Sequence, residues 1–313
     1  MKACQLAQQQ SGAAVLIFFL ILFTSSAAVL LRAINNADFG QAAASRAQQD
    51  MVLAKQTLLS FSMSYAENFP GSPPGRFPCP DSDNDAEGLP NTPCNVGNIP
   101  ARLPRRMDTG AGAPFMFSDH GLLDGQRFWY AVSPAYRQSS AAVLNSNTAG
   151  TLTLDGQNDI VAMLVAPGDE MTGQTRPNNT VSNYLESTNV AGTAFVSNWA
   201  ANPTLFNDRL LPIYRHEVMT LVTARVVQII RGILTTYHPA NGNTYPVDEP
   251  TFLAALTAAP PPAWFTANNW GTVVNYTFVN ANSVTISFDG CAITYTVTFG
   301  QPDIARSQAS CEV

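Results

Sequence analysis

Residues 13–31 read AAVLIFFLILFTSSAAVLL, and the reading of that run together with its flanks decides how the chain is built. No charge interrupts it before Arg32. At ~1.5 Å of rise per helical residue, its length matches the ~30 Å hydrocarbon core of a bilayer. A short polar leader, Met1 to Gly12, precedes it and carries Lys2. Lys2 and the amino terminus favour a cytoplasmic leader, with the bulk of the chain on the far side of the membrane. The rival reading is a secretory signal peptide, with an apolar stretch at Ala13–Phe23 and a small-residue cleavage site at Ser25-Ser26-Ala27.

Working outward, Ala44, Ala47, Met51, Ala54, Leu58, Phe61 and Tyr65 recur at steps of three and four, which predicts one apolar seam on a helix. Pro70 is the first proline after the apolar run, so a single helix is expected from Ala13 to near Phe69. Its first half would lie in lipid and its second half on a folded domain. That continuity weighs against cleavage inside the apolar run.

A leader ending in Gly12, an apolar helix starting at Ala13 and an amphipathic continuation together resemble a type IV pilin or a type II secretion pseudopilin. The resemblance implies processing by a prepilin peptidase between Gly12 and Ala13. It also implies methylation of the new amino terminus, inner-membrane anchoring, and assembly with other pilins or pseudopilins through the N-terminal helix. The fold it implies is α+β, a long N-terminal helix packed on antiparallel sheet. One position departs from the family pattern. Ile17 stands where most members carry a glutamate at the fifth mature residue, which leans the expectation toward a minor or tip-type subunit. A membrane-tethered periplasmic binding or enzymatic domain with no filament role is the alternative.

Composition fits export. Charged residues make up 12% of the chain, the formal net charge is −6, and the only lysines are Lys2 and Lys55. With no basic run, nucleic acid is not an expected partner. Beyond Cys4 in the leader, Cys79, Cys94, Cys291 and Cys311 form an even set suited to an oxidising compartment. Of the three possible pairings, proximity favours Cys79–Cys94 and Cys291–Cys311. Each such loop would contribute about 3 kcal/mol by restricting the unfolded chain. The pilin resemblance also implies a C-terminal tail stapled to a strand.

Between the first two cysteines, Asp81, Asp83, Asp85 and Glu87 alternate through CPDSDNDAEG. Carboxylates in that pattern can converge on one hard cation, as at the start of an EF-hand loop, and Ca²⁺ is the expected ligand. The match is partial, because Ala86 and Thr92 occupy positions where such loops carry glycine and glutamate.

Further along, Arg127–Val132, Thr151–Leu154 and Ile160–Val165 read as strands. Residues 168–207, polar and weakly patterned, read as a surface excursion. A second helix is expected after Asn207-Asp208, with Val218, Val222, Val226, Ile229, Ile233 and Tyr237 on its apolar face, ending at His238-Pro239. Segments 272–279, 283–288 and 293–299 alternate apolar and polar residues and predict an antiparallel meander. The segments expected are thus a leader at 1–12, a membrane helix at 13–31, a first helix-and-strand half at 32–206, and a second at 207–313. No GxSxG, HExxH or phosphate-cradling glycine loop occurs, and no enzymatic activity is expected. His216-Glu217 reads as a solvated helix face. Asp119, His120 and Asp124 lie in a glycine-rich loop without a nucleophile beside them.

Overall fold

In the computed structural model, residues 45–83, 89–90, 94, 100–107, 115–116, 127–197, 206–308 and 310–311 are described. The leader, the apolar run, Gly12, Ala13 and Ile17 lie outside them, as do Asp85, Glu87, Asp119, His120 and Asp124. Contacts separate Met1–Gln49 from a body formed by Asp50–Val313, and the packing below is that of the body.

Helix α1 covers residues 45–68 and buries the expected seam of Met51, Ala54, Leu58, Phe61 and Tyr65. It stops before Pro70, which has no N–H to continue the ladder, and Gly71 turns the chain at φ 92°. Eight strands follow. They are β1 (Ala101–Arg102), β2 (Arg106–Met107), β3 (Phe115–Met116), β4 (Trp129–Val132), β5 (Leu152–Leu154), β6 (Gln157–Ala166), β7 (Ala194–Phe195) and β8 (Arg209–Tyr214). β2 and β3 pair only with each other, and the other six form one sheet around β6. β6 meets β4 and β5 along one edge and β8 along the other, all antiparallel; β7 joins β5 in parallel.

This sheet is apolar on both faces, which explains the unbroken run at Ile160–Ala166. Ala162, Leu164 and Ala166 face one way with Tyr130 and Val132. Met163 and Val165 face the other way with Trp129 and Ala131.

The second helix, α2 (Arg215–Ala240), begins later than the sequence suggests. Residues 209–214 are instead strand β8. Leu210 and Leu211 gain more from pairing with β6 than from starting a helix, and Pro212 is tolerated because it sits on an outer strand. Glu217 then starts the helix by accepting the Tyr214 N–H. The buried face of α2 is Val218, Val222, Val226, Val227, Ile230 and Leu234; Ile229 and Ile233 are only partly covered. By length and composition alone α2 could cross a bilayer, but half of its most apolar stretch faces the protein core.

α1 and α2 run side by side in the same direction. Lys55 donates to Pro212 O and pairs with Glu217, and a step further along Arg225 donates to Met63 O and pairs with Glu67. The stretch after α2, in which no helix or strand is expected above, forms α3 (Glu249–Ala258) and α4 (Ala263–Ala267). Asp248 caps α3 by accepting the Thr251 N–H.

The C-terminal meander is as expected. β9 (Val274–Asn280), β10 (Ser283–Phe288), β11 (Cys291–Thr298) and a short β12 (Ala305–Arg306) form an antiparallel sheet in the order β12-β11-β10-β9. Its inward residues, among them Val284, Ile286, Ile293 and Val297, share one apolar core with the seams of α1 and α2. Cys291–Cys311 closes the tail onto β11. Cys311 N–H donates to Thr220 Oγ1 of α2 at 2.8 Å, and Thr223 Oγ1 shares a hydrogen bond with Tyr295 OH. The body is therefore mixed α+β, with the seams of α1 and α2 in one core with one face of the central sheet.

Candidate functional site

The other face of the central sheet carries the least ordinary chemistry in the molecule. The described part of the segment expected as a surface excursion, residues 168–197, lies against this face. Tyr184, Leu185 and Phe195 are buried on Trp129, Met163, Val165 and Leu152. Its abundant polar groups satisfy one another, which is why composition alone suggested a solvated loop. Arg176 shows the pattern. Its guanidinium donates to Gly168 O at 2.6 Å, Asn183 O at 2.6 Å, Gln174 Oε1 at 2.7 Å and Tyr184 O at 3.2 Å. The two ends of the segment touch at Gly168, where a Cβ would lie 2.3 Å from Asn207 Cγ.

Two carboxyl groups meet here, one from the middle of this segment and one from the residue just after its end. Glu186 and Asp208 are both buried. Asp208 Oδ2 accepts from Glu186 N at 3.0 Å and Asn189 Nδ2 at 2.9 Å. Glu186 Oε2 accepts from Asn207 N and Asp208 N, each at 3.2 Å, and its Oε1 accepts from Gln174 Nε2 at 2.9 Å. Every one of these donors is an uncharged amide. The remaining oxygen, Asp208 Oδ1, is buried without a hydrogen-bond partner. Burial, and then the neighbouring charge of Glu186, push the Asp208 carboxyl up to about 8.

Next to this pair, Arg102 lies between two rings, 4.0 Å from the centre of Trp129 and 4.2 Å from that of Tyr184. Arg176 stands 4.6 Å from the Tyr184 ring. Burial holds Arg102 down to about 10; Tyr184 works against that shift, and Arg127 and Arg176 add to it. Arg102 Nη1 donates to Arg127 O at 2.9 Å, and Arg127 in turn forms a buried ion pair with Asp81.

Asp81 belongs to the acidic segment expected to hold calcium. Its backbone exchanges both hydrogen bonds with Arg102, and its carboxylate faces Arg127. Asp83 is exposed, and its carbonyl accepts from Asn179 Nδ2 at 3.2 Å, which joins the acidic segment to the buried one. Asp85 and Glu87 lie outside the described residues. Among those described, no three His, Cys, Asp or Glu side chains converge as a metal would require. Both expected cysteine pairs are joined, with Cα atoms 5.4 Å apart for Cys79–Cys94 and 4.4 Å for Cys291–Cys311. Glu217, expected on a solvated face, is instead half-buried between α1 and α2.

Chemically, the Glu186–Asp208 pair can hold a proton between two acids. Among the described residues, the groups that hydrogen-bond to either carboxyl are amides. Nothing in the sequence reading singled out Glu186, Asp208, Arg102 or Arg176. A signal was present: both acids follow bulky apolar residues, in Tyr184-Leu185-Glu186 and Phe206-Asn207-Asp208. No protein-family model, curated protein or solved structure matches this chain.

Proposed function

We propose that this chain is a minor or tip-type structural subunit of the pilin and pseudopilin kind, held in the inner membrane by residues 13–31 until it joins or caps a filament. What carries the reading is the junction of two features. A processing-type sequence, Ser11-Gly12-Ala13, opens an apolar run, and helix α1, which follows in the sequence, lays its seam on an α+β body. A carboxyl at position 17 would neutralise the amino terminus of a neighbouring subunit in lipid; Ile17 cannot, which favours a subunit used in few copies over one that polymerises in bulk. The disulfide that ties the C-terminal tail to β11 suits an oxidising compartment. Calcium on the acidic segment belongs to the same reading, with Asp83, Asp85 and Glu87 as donors and Asp81 engaged by Arg127.

The test is the mass of the N-terminal peptide of protein recovered from membranes. Processing should leave Ala13 as the first residue, carrying a methyl group. An intact Met1 would instead support a tethered domain with no filament role, and a start near Ala28 would support a secreted one.

A further inference from the structure

The buried carboxyl pair is not used by the assembly reading. Its geometry nevertheless makes a specific demand. Five amide N–H groups bond to these acids, two on Asp208 Oδ2, two on Glu186 Oε2 and one on Glu186 Oε1, which keeps room for a second donor. Asp208 Oδ1 has no donor and no access to water. A buried acceptor left bare is costly, and two buried carboxylates side by side repel. One proton carried on Asp208 Oδ1 removes both penalties.

Among the described residues, the surroundings offer no other remedy. Arg176, the nearest cation on the same segment, spends its N–H groups on three carbonyls and Gln174. Arg102, reaching over from β1, lies against the rings of Trp129 and Tyr184. Asp169, Glu170 and Arg209 flank the pair in sequence and are exposed. From β6, the side chains facing the segment are Met163 and Val165, neither of which titrates. The donors around the pair also argue against a metal: they present N–H groups where a cation needs oxygens.

We propose that Glu186 and Asp208 form an acid-tightened latch, in which one shared proton holds residues 168–197 on the sheet and its loss loosens them. The pair ties the middle of that segment to the chain just before β8, since Glu186 bonds the backbone of Asn207 and Asp208 while Asp208 bonds the backbone of Glu186. The direction follows from proton linkage. Released into water, Asp208 titrates in the ordinary carboxylate range; latched, it does so at about 8. The latched form therefore binds more protons between those limits. Its advantage is complete in acid, declines as pH rises toward 8, and is constant above that.

Hydrogen exchange of the full-length protein in detergent tests this. Amides of residues 184–196 should lose protection by up to about tenfold per pH unit between roughly pH 5 and pH 8, then level off, while those of β10 and β11 should not. Asp208→Asn is isosteric with the protonated acid and offers a permanent donor to Glu186, so it should remove the slope. A flat profile in the unmodified protein, or the same slope in D208N, would overturn the latch. Infrared titration of the unmodified protein gives a readout that does not depend on the variant folding. A protonated-carboxyl band should persist at about pH 7 and vanish with a midpoint near 8. Its absence at neutral pH would equally defeat the proposal. Neither readout depends on N-terminal processing, so the latch and the assembly reading fail separately.

Discussion

The two faces of the central sheet bury comparable kinds of side chain, but they hold their coverings by different means. On the helical face, the seams of α1 and α2 are mainly aliphatic and aromatic, and their charged contacts sit at the margin, at Lys55–Glu217 and Arg225–Glu67. On the opposite face, a smaller apolar patch is supplemented by polar groups in its interior: Arg176 among carbonyls, Arg102 between rings, Asp81 against Arg127, and Glu186 beside Asp208. The apolar attachment is non-directional and tolerant of small shifts. The polar one is directional, and a single lost partner leaves a buried group bare. The first kind of attachment confers stability; the second makes docking sensitive to conditions.

This contrast can be broken from either side. The largest loss should come from Phe61→Ala, which empties a fully buried position on the helical face. About 3–5 kcal/mol of global stability should disappear, read by urea unfolding, with the whole body affected together. Asp81→Asn should cost less, about 2–3 kcal/mol, by leaving Arg127 without its charged partner. The same variant sharpens the calcium question. If Asp81 serves only Arg127, chelation should lower the melting temperature of D81N as much as that of the unmodified protein. A D81N protein indifferent to chelators would place Asp81 among the cation's ligands. Smallest in global terms, Gly168→Ala drives a methyl into Asn207 and should cost about 1–3 kcal/mol. That loss should show as faster exchange over residues 184–196, with little change in the unfolding midpoint. A large global effect would mean that the two faces are not separable.

The same contrast explains what could be read from the sequence. Met51, Leu58, Phe61 and Tyr65 announce their burial because a helix on one apolar face must repeat every three or four residues. The alternation of Val284, Ile286 and Phe288 is equally direct for a strand. Cys291 and Cys311 are legible from parity and proximity. The 168–207 segment was not legible, because its order comes from pairs far apart in the chain, such as Gln174 with Glu186 and Asn189 with Asp208, which leave no period. Residues 209–214 were misread for a related reason. Leu210, Leu211 and Ile213 suit either element, and only the presence of β6 alongside decides for a strand. α3 escaped notice because its short run of Ala, Leu and Thr carries apolar residues on every side.

The parallel course of α1 and α2 has a mechanical consequence. Lys55 grips the start of α2, and Arg225 grips the later turns of α1 around Met63 and Glu67. A pull along the axis of α1 would load both grips, and the buried seam between them, at the same moment. Attachments loaded together must fail together, whereas a pull from the side would open them one after another. The helix pair is thus strongest against tension directed along α1.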